Sequence, residues 1–412
     1  MKNLAIILYL SVIFLYSCGE QTLSKLGKEL ITFEISVDND SENGKTRIIN
    51  KSMFRSIGEA VYLGSNGKNN KIIKINMNGK EALIISSNKI SLNINKLEKL
   101  EGKINNDSNN NIINEKIQPK SKSFPFNHIL DFTANWNEEI YVMNLLLPPE
   151  EKIKDTNGKL KDTKNTPITS AKYIYKFNKN GDYIYKLGTK GKDGEPFTDS
   201  KLLSKMYCDK NDNLYLIFKS YHQIPKDIRL DQSIDLYRYK RSGELDVQKK
   251  DINKLIPIEA DYYSYTEQIE ITPSSENMIF LVSYYPKDVN KNINSIEPSY
   301  KKLFVLNLED DEYKVKLIRT LKNKEKYYSL FGITESDEIY LTIPTSSESQ
   351  VDTYFQIYNF QVLNKNGNNK EIKSLVLNKN PKVSWSWFSL GTSGKVIIYS
   401  EIGSKFIYHF YK

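Results

Sequence analysis

The side chains that most often carry enzyme chemistry are few in this 412-residue sequence and lie far apart. The three histidines, His128, His222 and His409, form neither the H-x-H nor the H-E-x-x-H pattern that binds zinc. A G-x-S-x-G nucleophile elbow and a phosphate-binding P-loop are also absent from the sequence. These observations predict no metal site, no cofactor and no catalytic residues, and they favour a role without catalysis.

The first of two cysteines follows a short apolar leader. Cys18 comes after one basic residue, Lys2, and an apolar run over 4–16, which is shorter than the ~20 residues that span a bilayer. This order is typical of a secretory signal peptide. The run ends in "LYSC", which resembles the bacterial lipobox, as relaxed in spirochaete lipoproteins, although Tyr16 stands where a small residue is usual.

This resemblance implies a signal peptide over 1–17, acylation of Cys18 by palmitate-type chains, and a tether over 18–28. The protein is then expected in the cell envelope, held to a membrane by its N-terminal lipid. Gly19 rather than Asp after the cysteine favours the outer membrane by analogy, with either leaflet open. The alternative is an ordinary secretory leader with a chance cysteine. Cys208 then has no partner for a disulfide, and we interpret it as a buried thiol.

The charge pattern argues against nucleic acid as a partner. The net charge is +9, but the 59 Lys and Arg residues are interspersed with 50 Asp and Glu residues. No basic run stands out that could follow a phosphate backbone. With 39% apolar residues the chain can bury a sizeable core, and we expect a monomer.

One group of aromatic residues could bind a ligand. Trp385 and Trp387 are two positions apart and therefore face the same way on a strand. Rings of this kind can stack on a glycan or a peptide. The alternative is that they wedge between structural units as core. The candidate ligand-binding residues are Phe124, Phe126, His128, Tyr263, Tyr265, Tyr327, Trp385 and Trp387.

The elements that would position these residues are β-hairpins. Residues 173–187, "YIYKFNKNGDYIYKL", alternate large apolar and polar residues on both sides of Asn180-Gly181. This pattern predicts a hairpin with a two-residue turn, because Asn-Gly accommodates positive φ. Similar hairpins are predicted around Asn78-Gly79 and Ser242-Gly243.

A further pair of strands precedes each hairpin, as in "DKNDNLYLIF" and "TESDEIYLTI". Together they define six units that begin near residues 54, 127, 203, 265, 327 and 383, each with about four strands. Repeated four-stranded units are typical of a β-propeller. The sequence therefore predicts an all-β, six-bladed β-propeller of four-stranded blades, a single domain over 29–412.

The last unit stops at Lys412 before its outermost strand. A propeller whose ring is left open would keep an unpaired strand edge. The isolated run "LITFEIS" (30–36) is therefore predicted to pair with "KFIYHFYK" (405–412) and to close the last blade. Residues 101–122 are polar and rich in Asn, and are predicted to be a disordered insertion. The stretch near 92–100 is considered as a short helix.

The repeat resembles the NHL-type six-bladed propeller. The match is best in "YIYKFNKNGDYIYKLGTKGKDGEPF", where the hairpin is followed by Gly188, Gly191, Gly194 and Phe197 in the order of that family. Elsewhere the resemblance is in pattern only. It implies the propeller fold and leaves the activity open, because propellers carry many unrelated functions.

These observations lead to a lipid-anchored envelope propeller that acts as a non-catalytic binding or scaffold protein, with a protein or glycan ligand on one face. One alternative is a propeller enzyme acting on glycans, or a quinone-dependent dehydrogenase. Another is a surface lipoprotein that binds a host ligand. An enzyme needs charged side chains that converge at the channel mouth, so the position of such side chains discriminates between the first two hypotheses.

Overall fold

The chain is almost entirely β-strand in the part that the structure, a computed structural model, describes. The described residues are 23–25, 29–37, 54–57, 60–65, 70–76, 81–87, 92–99, 112–146, 171–198, 201–223, 230–274, 277–287, 297–309, 313–344, 355–378, 385–394, 396–402 and 405–411. Two short 3₁₀ helices, Ile252–Leu255 and Asn323–Tyr327, interrupt the strands.

The N-terminal part contributes strands that join distant sheets. They are β1 (Leu23–Lys25) and β2 (Glu29–Val37). Sheet 1 follows with β3 (Phe54–Ile57), β4 (Ala60–Ser65), β5 (Lys71–Asn76) and β6 (Ala82–Ser86). Three more strands come next: β7 (Leu92–Lys99), β8 (Ile112–Ile117) and β9 (Pro119–Ser123). Of these, β9 adds to the outer edge of sheet 1, parallel to β6.

The middle of the chain forms three consecutive antiparallel sheets. Sheet 2 comprises β10 (Ile129–Ala134), β11 (Ile140–Leu146), β12 (Ala171–Phe177), β13 (Tyr183–Gly188) and the short β14 (Gly191–Lys192). Sheet 3 comprises β15 (Leu202–Cys208), β16 (Leu214–Gln223), β17 (Leu230–Tyr239) and β18 (Leu245–Lys249). Sheet 4 comprises β19 (Tyr262–Ile271), β20 (Asn277–Pro286), β21 (Tyr300–Asn307) and β22 (Val315–Leu321).

The last two sheets recruit the N-terminal strands. Sheet 5 comprises β23 (Ser329–Ile333), β24 (Ile339–Ile343), β25 (Phe355–Leu363) and β26 (Asn369–Asn378), and β1 pairs parallel to β26. Sheet 6 comprises β27 (Trp385–Leu390), β28 (Val396–Ile402) and β29 (Lys405–Tyr411). It continues through β2 to β7 and β8 in the order β27-β28-β29-β2-β7-β8.

The predicted pairing of the two chain ends is confirmed. Strand β2 is antiparallel to β29, with Ile31 opposite Phe410 and Ile35 opposite Phe406. On its other side β2 pairs with β7, with Thr32 opposite Leu97. A strand with neighbours on both sides has hydrogen-bonding partners for its N–H and C=O groups in both directions. The N-terminal segment is therefore an interior strand of sheet 6.

The sheets surround a common axis, and their cores lie between them. The innermost strands contact each other between sheets 1 and 2, 2 and 3, 4 and 5, 5 and 6, and 6 and 1, and sheets 3 and 4 meet through β17 and β19. Apolar clusters join sheets 1 and 2, 2 and 3, 3 and 4, 4 and 5, and 5 and 6 in the described residues. Because sheets 2 to 5 are each covered on both faces, their strands read as nearly continuous apolar runs, such as β11 with Val142 and Met143 both buried. The predicted all-β propeller with four-stranded blades is confirmed at this level.

The hairpin at Asn180-Gly181 is confirmed, but its turn differs from the predicted two-residue type. The N–H of Gly181 donates to the carbonyl of Asn178 at 2.9 Å, and Gly181 has a φ of 83°. The side chain of Asn178 accepts hydrogen bonds from the N–H groups of Asn180 and Asp182 at 2.9 Å. This is a type I turn closed by a left-handed glycine, stabilised by an Asn side chain. The turn at Asn78-Gly79 lies outside the described residues.

Three predictions about the N-terminal third are corrected. Within the predicted disordered insertion 101–122, Ile112–Ile117 forms β8 and most of β9 follows it, whereas residues 100–111 lie outside the described residues. The stretch near 92–100, considered as a helix, is β7. Leu23–Lys25 of the predicted tether is β1. In each case the segment adds to the edge of a sheet. That edge offers backbone hydrogen-bonding partners that the local sequence does not reveal.

Candidate functional site: a charged central channel

Two of the aromatic candidates are part of the core. The ring of Phe124 lies 4.9 Å from that of Phe126 and 4.8 Å from that of Phe177, centroid to centroid. Its ring also contacts those of Tyr175 and Tyr183 at 4.9 and 5.6 Å. This aromatic cluster joins sheets 1 and 2, as in the alternative that treated such residues as wedges between units.

The next three candidates are half-buried. The backbone N–H of His128 donates to Asn144 Oδ1 at 3.0 Å, which fixes the chain before β10. Tyr263 and Tyr265 lie near the start of β19, and the Lys287 ammonium lies 5.6 Å from the centre of the Tyr263 ring. The backbone thus positions His128, and a cation covers part of Tyr263.

Among the candidates whose side chains the structure describes, Tyr327 is clearly exposed, with 44% of the residue open to solvent. Its hydroxyl donates to the Glu297 carboxylate at 2.6 Å, and Lys326 lies 3.1 Å from the same carboxylate. Trp385 and Trp387 lie on β27 opposite Glu401 and Tyr399, but their side chains fall outside the described part of the chain. The positions of these eight residues do not test whether they bind a ligand, so that expectation stays a prediction.

A different set of residues converges on the axis of the sheets. A cavity of about 370 Å³, which we call the central channel, is lined by residues of the innermost strands β3, β10, β15, β19, β23 and β27, by Lys219 of β16, and by Thr392 in the turn after β27. None of the eight candidates is among its lining residues. Its polar lining includes Arg55, Thr133, Ser204, Lys205, Tyr207, Lys219, Glu267, Gln268 and Glu270.

Bulges in the innermost strands direct these side chains. The pairing register shifts by one residue between Leu203 and Lys205 in β15, and between Thr266 and Gln268 in β19. The extra residues, Ser204 and Glu267, both line the channel. Strands β10 and β23 have shifts at corresponding places. A bulge re-aims side chains locally, and here it adds polar groups to the wall of the channel.

Two ion pairs lie along the channel. One terminal nitrogen of Arg55 donates to both carboxylate oxygens of Asp131 at 3.1 Å each, which links sheets 1 and 2. Lys205 of sheet 3 pairs with Glu270 of sheet 4. Burial raises the pKa of the Asp131 carboxyl, and the Arg55 charge opposes that rise. Burial, aided by the Arg55 charge, lowers the pKa of Lys205 to about 7.

A third carboxylate, that of Glu267, is bound by side chains of the next two strands of its sheet, β20 and β21. Glu267 accepts a hydrogen bond from the Ser283 hydroxyl at 2.5 Å, and its second oxygen lies 2.7 Å from the Lys301 ammonium. The two lining carboxylates, Glu267 and Glu270, and Asp131, which pairs with the lining Arg55, therefore each have a cation within ion-pair distance. Two charged partners held together in a dry site cost less than either would alone.

Lys219 differs from the other channel cations. Its side chain is on β16 and only 6% of the residue is exposed. The ammonium lies 3.3 Å from the carbonyl oxygen of Glu267 and 3.5 Å from that of Thr266. No carboxylate lies within 4.0 Å of it among the described side chains. Burial lowers its pKa to about 8, and the more distant Glu267 charge opposes that shift.

Thr133 leaves a hydroxyl without a partner on the same wall. It is on β10, 1% of the residue is exposed, and its Oγ1 has no hydrogen-bond partner among the described atoms. The hydroxyl of Tyr207, another lining residue, is in the same state. A buried donor without a partner costs ~1–3 kcal/mol, so a ligand that bonds to it gains that amount back.

Sequence reasoning missed this charged set, although a signal exists. In β15, Lys205 and Tyr207 alternate with the buried Met206 and Cys208. A charged residue among buried residues on an innermost strand is a candidate for the channel wall, because burial of its charge between two apolar sheets would be costly. The signal could be used only after β15 was known to be innermost.

Two further structural facts bear on the site. In the described ranges no three His, Cys, Asp or Glu side chains gather closely enough to hold a metal ion. None of the helices in the described part of the chain has the length and apolar character to cross a bilayer.

Comparisons with known proteins bear on the fold. No protein-family model matches the chain, and no curated protein matches it. Among solved structures, it is similar to a member of the DUF4221 family from Bacteroides vulgatus, with 8% identity, a TM-score of 0.38 and coverage of 94% of this chain and 99% of that chain. It is also similar to a luciferin-regenerating enzyme, with 7% identity, a TM-score of 0.39 and coverage of 93% and 95%.

A third similar structure is the β-propeller domain of the Trilobed protease from Pyrococcus furiosus, described as having an open velcro topology. The identity is 11%, the TM-score 0.37 and the coverage 88% of this chain and 92% of that chain. Similarities at these values carry no conclusion about activity. The propeller fold follows from the strand order of this chain itself.

Proposed function

We propose that this protein is an envelope β-propeller that binds a small polar ligand in its central channel without chemical change. The observation that carries the proposal is the convergence of Arg55, Lys205, Lys219 and Glu270 from separate strands on one cavity of about 370 Å³. Cavities of roughly 300–1,000 Å³ with a few convergent polar groups are typical small-molecule sites.

The proposal also includes the number of blades and the way in which the ring closes. The six sheets are taken as six blades of one ring, with β2 as the fourth strand that completes the last of them, and the repeat as NHL-like. Contact between β27 and β3 supports closure, because these strands are innermost in the last and first sheets. A rigid ring would hold the channel residues in fixed positions, as a binding site requires.

Binding is favoured over catalysis because the carboxylates in the channel wall and the one next to it are engaged in ion pairs. Asp131, Glu267 and Glu270 each have a cation at ion-pair distance. The second candidate function is enzymatic, and one observation favours it: the pKa of Lys205 is about 7, where an amine can accept a proton near neutral pH. Turnover of a bound compound, seen as a new mass in the experiment below, would select this second function.

Filling the channel should abolish ligand retention. Ser204 is exposed to the channel and lies at the bulge of β15, so Ser204→Trp places a large ring in the cavity without removing core atoms. We expect purified wild-type protein, dialysed against a small-molecule extract of its own cells, to concentrate one or a few compounds, and the variant to concentrate none of them. Mass spectrometry of the two dialysed samples measures the difference.

Ser242→Trp serves as the control, since Ser242 is exposed in the turn between β17 and β18. It should retain the same compounds as the wild type. Equal retention by Ser204→Trp and the wild type would place the site elsewhere, with the exposed Tyr327 region and a protein or glycan ligand as the next candidate. If the wild type retains nothing, the binding function is contradicted.

The lipid anchor is also part of the proposal, and its support is the lipobox-like "LYSC" at 15–18. We expect Cys18→Ala to partition into the aqueous phase, because acyl chains contribute ~0.8 kcal/mol per buried methylene. Detergent-phase separation of wild type and variant measures this; equal partitioning into detergent contradicts the anchor. Protease treatment of intact cells then distinguishes a periplasmic from a surface position, the latter being required for a host ligand.

A further inference from the structure

Of the three cations that line the channel, Arg55, Lys205 and Lys219, only Lys219 has no carboxylate within 4.0 Å among the described side chains. Asp131 pairs with Arg55, Glu270 with Lys205, and Glu267 with Lys301. Lys219 is then left with two carbonyl oxygens, at 3.3 and 3.5 Å, as the described partners of its ammonium. These distances are at the long end of hydrogen bonding, so the ammonium is weakly satisfied.

A weakly satisfied, buried ammonium is costly to the folded protein. Transfer of an isolated charge into a site of low dielectric is strongly unfavourable unless an opposite charge is provided. Only 6% of Lys219 is exposed, and it lines the channel. An ammonium has three donors, and two weak contacts to carbonyls leave capacity for an oxygen ligand on the channel side.

The second observation is independent and lies on a different sheet. Thr133 is 1% exposed, lines the same cavity, and has a hydroxyl without a partner among the described atoms. A hydroxyl can donate and accept, so it fits an alcohol or carbonyl group of a ligand. The cavity size of about 370 Å³ is near the lower end of small-molecule sites, which favours a compound of monosaccharide size.

We propose that the central channel binds a small hydroxylated organic anion, whose acidic group pairs with Lys219 and whose hydroxyl group bonds to Thr133. This inference rests on the proposed binding function and assigns its ligand class. The anion completes the charge balance of the wall, and the hydroxyl satisfies the buried Thr133 side chain. Arg55 and Lys205 stay in their pairs and add positive potential without being the direct ligands.

The test compares two probes that differ in charge at similar size, D-glucuronate and D-glucose. Titration calorimetry on the full-length protein in detergent should show binding of glucuronate, and at least about tenfold weaker binding of glucose. Lys219→Met should weaken glucuronate about 10–100-fold and leave glucose unchanged, because a hydrogen bond to a charged group is lost. Thr133→Val, nearly isosteric, should weaken both probes by a smaller factor.

The matched control is Lys250→Met, which removes the same charge from an exposed position after β18. It should bind both probes like the wild type. Lys219→Gln keeps a hydrogen-bond donor without the charge, and it replaces the Met variant if that variant misfolds. It should also lose the preference for glucuronate. Thermal melting of each variant verifies that the fold is kept.

Several outcomes overturn the inference. They are equal affinity of the wild type for the two probes, no binding of either probe, or a glucuronate affinity that Lys219→Met and Lys219→Gln leave unchanged. If glucose binds and Ser204→Trp blocks it, the channel is still the binding site and only the anionic class is wrong. The dialysis experiment judges the proposed function separately, since it makes no assumption about charge.

Discussion

Deletion of residues 29–37 should abolish the cooperative unfolding transition of the protein. Strand β2 pairs with β29 on one side and with β7 on the other, so the deletion removes both ladders from the interior of sheet 6. At ~1 kcal/mol per hydrogen bond, two ladders over a nine-residue strand are comparable to the ~5–15 kcal/mol that stabilises a whole domain. The exposed edge of β29 would then be free to aggregate.

The control is deletion of residues 102–109, of similar length, between β7 and β8. Lys99 and Ile112 lie opposite each other, so the four remaining residues can connect the two strands as a short hairpin loop. Loop-closure entropy depends weakly on length, and we expect a change in melting temperature of only a few degrees. Circular dichroism melts of both deletions decide the matter. If the two deletions melt alike, β2 does not close the ring.

Gly188→Ala should be the most damaging single methyl addition among the described glycines. A Cβ at this position would lie 2.0 Å from the carbonyl oxygen of Glu195 and 2.5 Å from that of Gly194. Both atoms are backbone, in a segment where the N–H of Thr189 bonds to the Glu195 carbonyl at 2.8 Å, so they cannot move aside cheaply. We expect a loss of ~3 kcal/mol in the free energy of unfolding, because overpacking forces backbone shifts.

Gly394→Ala provides the comparison, because it tests backbone conformation without a clash. Its φ is +79°, and a Cβ there meets only side-chain atoms at 3.5 Å or more, from Thr334 and Tyr340. The expected loss is ~1–2 kcal/mol, the cost of a left-handed conformation for an L-residue. Denaturant titration of both variants measures the two losses. A Gly188→Ala variant no less stable than Gly394→Ala would mean that the 188–195 segment repacks.

The strand pattern of this propeller was readable from local sequence. Hairpins such as 173–187 combine alternation with a turn rich in Asn and Gly, and both signals act over a few residues. The pairing of 30–36 with the last strand was also predicted, because an incomplete last unit requires a partner. The additional strands β1, β7, β8 and β9 were missed, since their place depends on edges that exist only after the sheets form.

The candidate site shows why local sequence predicts strands but not the positions of their side chains in the assembled protein. Local sequence was enough to indicate that the chain is all-β, that it repeats a four-stranded unit, and that aromatic residues precede several strands, because hydrophobic period and turn chemistry are local properties. The assembled sheets were needed to show that Phe124 and Phe126 pack in the core and that Arg55, Lys205 and Lys219 line one channel. The reason is that the sequence does not show which strand of a sheet lies nearest the axis, nor how bulges such as that at Ser204 turn its side chains, before the neighbouring sheets are assembled.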